Sequence, residues 1–163
     1  MIVLDASTLI LLAKIDLLQV LAEKTDILIS QEVKREALMK PGLYDAQLIA
    51  RMLDDGRIKA STEIAPAAAR HIESQFKIAA GEATALLLAK KKAAALGIDD
   101  RSGIRAAKIL GVPFFTAIQV IEELHEKGRL DAETALVKLE GLRKYGRYDD
   151  RIIDEVHARL ARR

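Results

Sequence analysis

Short runs of branched apolar residues alternate along the chain with longer stretches in which apolar residues return every three or four positions. The first kind fits buried strands and the second fits amphipathic helices. Ile2-Val3-Leu4 predicts a first strand, stopped by Asp5. Ser7 to Ile15 predicts a helix, and Asp16 is placed to cap another that reaches about Glu23. Ile27-Leu28-Ile29 predicts a second strand, with Ser30 as the cap of a helix from Gln31 to Met39 that ends before Pro41-Gly42. A helix from Leu43 to Asp54, a third strand from Arg57 to Ala60 and a helix from Ala67 to Phe76 behind Pro66 follow. Gly81 to Lys91 carries a strong helical pattern. Ala93 to Ile98 is rich in helix-favouring alanine, but Gly97 and the abrupt Asp99-Asp100 pair favour a short buried strand.

Arg101 to Leu110 predicts a helix closed by Gly111, and Val112 to Thr116 a brief strand. Three more helices are expected: Ala117 to Lys127, one capped by Asp131, and one carrying Ile152, Ile153, Val156 and Leu160. Strands alternating with helices imply a parallel sheet covered on both faces. The expected fold is a three-layer α/β/α sandwich with a central parallel sheet of four to five short strands. It is read as a single domain over residues 1–163, with 131–163 as a helical C-terminal extension.

Composition narrows the chemistry more than the fold. Ala, Leu, Ile and Val supply nearly all the apolar content and aromatics only 4%, so the core is aliphatic and a base-stacking platform is not expected. Charged residues make up 31%, and no apolar run approaches the ~20 residues of a membrane-spanning helix. The apolar opening carries Asp5 and lacks a basic lead-in, so it reads as part of the fold and not as a signal peptide. A soluble cytoplasmic protein with no membrane partner is the expectation. The absence of cysteine excludes disulfides, thiolate nucleophiles and cysteine-ligated zinc. His71, His125 and His157 lie far apart, which leaves histidine-based zinc chemistry little support. A net charge of +2 tolerates nucleic acid without announcing it. The tail holds Arg143, Lys144, Arg147, Arg151, Arg159, Arg162 and Arg163 against Asp149, Asp150, Asp154 and Glu155. It could grip RNA phosphates, or dock on a partner as an amphipathic helix.

Carboxylates stand where ligands bind in open parallel sheets, beyond the carboxyl ends of the strands. Asp5 ends the first strand, and Asp99-Asp100 end the one before Arg101. Each could equally cap the helix that follows. Glu82 falls between Ala85, Leu86 and Ala89 on its wheel, facing the interior, and could also be a first-turn residue favouring the helix dipole. Glu36 has the same interior character, between Val33 and Met39, with Glu32 on the same side. Converging carboxylates without softer ligands suit a hard divalent cation, Mg²⁺ or Mn²⁺.

These residues resemble the PIN domain, a family of metal-dependent nucleases. Ile2-Val3-Leu4-Asp5-Ala6-Ser7 resembles its first motif, and Val33-Lys34-Arg35-Glu36 its second. Gly81-Glu82-Ala83-Thr84-Ala85 resembles the third. Ile98-Asp99-Asp100-Arg101, followed by Arg105-Ala106-Ala107 and Leu110-Gly111, resembles the fourth. The match runs in order from residue 1 to about 130, and its Gly-Glu-Ala and Asp-Asp forms point to a prokaryotic branch close to VapC-like toxins. The resemblance implies a ribonuclease using Mg²⁺ or Mn²⁺, with Asp5, Glu36, Glu82 and Asp100 as the metal cluster and Asp99 and Ser7 close by. It also implies an RNA substrate, often a cognate antitoxin, and a homodimer. Where related chains often read Gly-Thr-Leu-Gly, this one reads Phe115-Thr116-Ala117-Ile118, which keeps Thr116 as an auxiliary group and loses both glycines.

Two enzyme classes compete poorly. A haloacid dehalogenase needs a second Asp two residues after the first, and that position is Ser7. A receiver-like domain has no role for Glu36 and Glu82. The alternative outside enzymology is a catalytically silent PIN module that binds RNA or a protein. A homodimer through the early helices is also expected from Leu9, Ile10, Leu11, Leu12, Leu17, Leu18 and Leu21, which exceed what one inward face requires.

Overall fold

The computed structural model describes residues 1–162. Along the chain the elements are β1 (Ile2–Leu4), α1 (Ala6–Lys14), α2 (Leu18–Ala22), β2 (Ile27–Ser30), α3 (Gln31–Ala37), α4 (Tyr44–Asp54) and β3 (Ile58–Ser61). They continue with α5 (Pro66–Phe76), α6 (Ala80–Lys92), β4 (Ala95–Gly97), α7 (Arg101–Leu110), β5 (Phe114–Phe115), α8 (Ala117–Glu126), α9 (Ala132–Tyr145) and α10 (Asp150–Ala161). The chain divides into two compact units, Met1–Phe115 and Thr116–Arg163.

All five strands lie in the first unit. They form one parallel sheet in the order β3-β2-β1-β4-β5. Ile2 pairs with Ile27 on one side and with Ala95 on the other. The expected α/β/α sandwich with a short parallel sheet is therefore what the chain adopts. Val3, Leu4, Ile29 and Leu96 are fully buried, as expected of central strands covered on both faces. Helix α1 packs on both α3 and α4, α5 packs on α6, and α7 touches both α5 and α6; α6 also packs along β1 and β2 and against α3.

The caps are local and follow the sequence. Ser30 Oγ accepts from the Val33 N–H at 3.1 Å and starts α3 directly from the end of β2. Gly111 takes a positive φ of 69° and closes α7. Asp16 departs from expectation. It sits in the left-handed region at φ 56°, accepts from the Tyr44 hydroxyl, and caps nothing, while α2 begins at Leu18 without a side-chain cap. A tight reversal between two helices needs one left-handed residue, and Asp tolerates that conformation better than most.

The early leucines are also accounted for differently. Leu9, Leu11, Leu12, Leu17 and Leu18 are all buried within the single chain. Ile10 and Leu21, the other two of the seven, stay partly exposed.

The second unit consists of α8, α9 and α10, with α9 packed on both of its neighbours. Leu139, Leu142, Ile153 and Val156 form its core. Arg143 pairs with Glu140 at 3.0 Å, Asp150 at 2.8 Å and Asp154 at 2.6 Å, joining α9 to α10. Arg159 of α10 pairs with Glu122 of α8 at 2.7 Å. The helical extension expected from residue 131 lies within this unit, which also takes in α8.

Candidate metal centre

From β1 the chain steps outward to β2 and β3, then returns to place β4 on the opposite side of β1. The strand order thus reverses between β1 and β4, the place where a parallel sheet opens a crevice beyond its carboxyl ends. Asp5 leaves β1 there, and Asp99-Asp100 leave β4. The Asp5 N–H donates to the Gly97 carbonyl at 3.1 Å and fastens the two strand ends together.

The two oxygens of Asp5 have different surroundings. Oδ1 accepts from the Thr8 N–H at 2.8 Å and caps α1. Oδ2 is buried and has no hydrogen-bond partner. The residue is 1% exposed, and an unpaired carboxylate oxygen in that position is expensive. Burial pushes the Asp5 pKa up to about 7; the hydrogen bond from the Thr8 N–H opposes the rise, and the charges of Asp99 and Glu82 add to it. The cap therefore occupies one oxygen of Asp5 and leaves the other, buried, without a partner.

Thr8 was not singled out by its sequence position. Ser7, the small hydroxyl the motif pointed to, is exposed, whereas Thr8 is fully buried and its hydroxyl donates to Asp99 Oδ2 at 2.6 Å. The partner lies 91 residues away, so no local spacing could have shown it. Thr8→Val keeps the branched shape and the backbone cap but loses this bond to a charged acceptor. It is expected to lower metal-free stability by about 1–3 kcal/mol in urea melts, with Thr8→Ser closer to the parent. An unchanged midpoint for the valine variant would show that the hydroxyl does not hold Asp99.

Asp100 is exposed, and its Oδ2 accepts from the Ser102 and Gly103 N–H groups at 3.0 and 3.2 Å to cap α7. Glu82 is half-buried in the first turn of α6, where Oε2 accepts from the Ala79 N–H at 3.3 Å. Burial, then the charge of Asp100, pushes the Glu82 pKa up; Glu36 adds to the effect. Glu82 thus serves its helix end and faces other carboxylates at once.

Glu36 corrects an expectation: it is exposed, not interior. Helix α3 has only seven residues, and Glu36 sits in its last turn. Its carboxylate nevertheless reaches α6, where a Cβ on Gly81 would come within 2.7 Å of Oε2. Glu32 pairs with Arg35 instead, so Glu36 is the acid of α3 that faces Glu82. A hydroxyl–hydroxyl bond of 2.8 Å between Ser30 and Thr84 holds the start of α3 against α6. Thr116 belongs to the second unit, where its Oγ1 accepts from the Gln119 N–H at 3.4 Å and caps α8.

Electrostatically, Asp5, Glu82, Asp99, Asp100 and Glu36 form one connected set. Among the described residues, no three acidic or histidine side chains stand in a ready-made cation-binding arrangement. The donors still fit a hard divalent ion. They are oxygens only, the charges of Asp99 and Glu82 bear on Asp5, and one oxygen of Asp5 is buried without a partner.

A family model described as a PIN domain, DUF3368, matches residues 1–162. The chain belongs to the PIN-domain family. Its five-stranded parallel sheet is that of a PIN-like sandwich, and the family match spans both compact units. PIN domains are generally nucleases and typically use divalent metals. No curated protein and no solved structure matches this PIN domain significantly. No helix among the described residues is long and apolar enough to cross a membrane.

Proposed function

We propose that this PIN domain hydrolyses RNA phosphodiester bonds with the aid of Mg²⁺ or Mn²⁺. The observation that carries the reading is the orphaned Oδ2 of Asp5, buried where the charges of Asp99 and Glu82 bear on it. Asp5, Asp100 and at least one of Glu36 and Glu82 would hold the ion. When bound, such an ion neutralises the acids and polarises a phosphoryl oxygen. The remaining work belongs to the chain. Asp5 presents Oδ2, Thr8 fixes Asp99, and the bare Gly81 leaves room for the Glu36 carboxylate.

The test is an RNA-cleavage assay titrated with Mn²⁺, beside crystals soaked in Mn²⁺ and read by anomalous scattering. Cleavage that appears with the metal and disappears with a chelator is expected, as is an anomalous peak within coordination distance of Asp5. Soaked crystals with no peak near Asp5 overturn the placement. A small reading frame beside this one, encoding a protein that suppresses the activity, would extend the proposal to a toxin–antitoxin pair.

A further inference from the structure

Helix α7 begins directly after Asp100, one of the acids of the candidate centre, and its composition is unusual for this chain. It carries Arg101, Arg105 and Lys108 and no acidic residue. The whole protein has a net charge of +2, so the residues outside α7 sum to −1. All three cations are exposed, opposite the buried face formed by Gly103, Ala106 and Ala107. Steps of four and three residues align them on one ridge about 10 Å long. No carboxylate pairs with any of them among the described residues, and Lys108 Nζ stands 5.8 Å from the centre of the Phe114 ring.

The other basic region behaves differently. In the tail, Arg143, Arg151 and Arg159 are taken up in ion pairs with Glu140, Asp150, Asp154, Asp149 and Glu122. Arg143 joins α9 to α10 and Arg159 joins α10 to α8, so two of the tail's cations serve to hold that unit together. Arg101 also violates a local rule. A cation in the first turn opposes the helix dipole, where an acid would be favoured.

We infer that the exposed ridge of α7 is the track for the backbone of a single-stranded RNA substrate, with Arg101, Arg105 and Lys108 each meeting a phosphate as the strand leaves the acidic crevice. The inference rests on the ribonuclease reading and adds the direction in which substrate runs. An acidic protein would suit the ridge alone, but the carboxylates at its head would repel it. A nucleic acid carries its charge on phosphates that a metal-loaded centre also accepts.

The test is fluorescence anisotropy of a labelled single-stranded RNA 12-mer in chelator, so that nothing is cleaved, across a series of salt concentrations. Each phosphate contact contributes about −0.7 to the slope of log K against log salt. The triple variant Arg101→Gln/Arg105→Gln/Lys108→Gln is expected to flatten that slope by about 2. A control triple with the same charge change, Lys144→Gln/Arg147→Gln/Arg162→Gln, is expected to leave it nearly unmoved. Equal flattening by both triples, no flattening by the α7 triple, or no RNA binding by the parent overturns the track. A parent that cleaves RNA with Mn²⁺ while the α7 triple binds like the parent overturns the track alone. A parent whose binding depends on α7 but which cleaves nothing with Mn²⁺ overturns the ribonuclease reading and leaves the track standing.

Discussion

Asp5→Asn should abolish RNA cleavage and, without metal, make the protein more stable at pH 8 than the parent. The two effects have one origin. In the folded, metal-free protein Asp5 titrates at about 7 against an ordinary value of 3.8, chiefly because it is buried. The fold therefore holds this proton more tightly than the unfolded chain does. Stability contributed by the protonated group is fully present below about 4 and is lost as pH rises through about 7. A gap of that size corresponds to about 4 kcal/mol, to order of magnitude. Asparagine has no charge to lose, keeps a carbonyl oxygen to cap α1, and places an amide donor among carboxylates. Urea melts in chelator should show the parent weakening between pH 5 and pH 8 and the variant changing much less. Added Mn²⁺ should stabilise the parent, by about 2.7 kcal/mol at a hundredfold excess over its dissociation constant, and leave the variant nearly unmoved. Equal metal-induced stabilisation of both proteins would remove Asp5 from the ligand set.

Much of this site could be read along the chain because its parts are attached to strong local signals. Three of the short branched runs lead into a residue that caps the next helix: Asp5 directly after β1, Ser30 at the end of β2, and Asp100 shortly after β4. The strand ends and the acids were therefore legible together. The cap expected of Asp5 is there and uses one oxygen only, which leaves Oδ2 open to the role proposed for it.

What the sequence hid depends on distance in the chain or on a helix too short for a wheel. Thr8 matters through Asp99, across a strand pairing that no spacing reports. Glu36 looked interior because its wheel assumed a longer helix, whereas α3 stops at Ala37 and leaves the side chain at the surface. Asp16 looked like a cap because Asp before an apolar run usually is one, but the same residue type also serves a left-handed turn. A wheel counts one buried face, whereas the fold buries Leu9, Leu11, Leu12, Leu17 and Leu18 and leaves Ile10 and Leu21 partly exposed.

Gly81→Ala should lower cleavage tenfold or more while leaving the protein as stable as the parent, or more so. Alanine is favoured over glycine within a helix by about 0.5–1 kcal/mol, so the substitution helps α6. The atoms nearest its Cβ would belong to two side chains. Val33 Cγ2, at 3.9 Å, is in ordinary contact, and Glu36 Oε2, at 2.7 Å, must move. That oxygen is the far end of a flexible, exposed side chain, so moving it disturbs little of the core. The carboxylate swings away from Glu82, and the acid that α3 contributes to the centre is withdrawn. Thermal melts without metal should therefore be unchanged or slightly raised, while the Mn²⁺ titration shifts to higher concentration. The route through Glu36 is checked by a double-mutant cycle. If Gly81→Ala acts by displacing that carboxylate, adding it to Glu36→Gln should produce little further loss, because nothing charged remains to displace. Full additivity of the two losses would mean that Gly81 is required for another reason, and that Glu36 belongs to the surface and not to the centre.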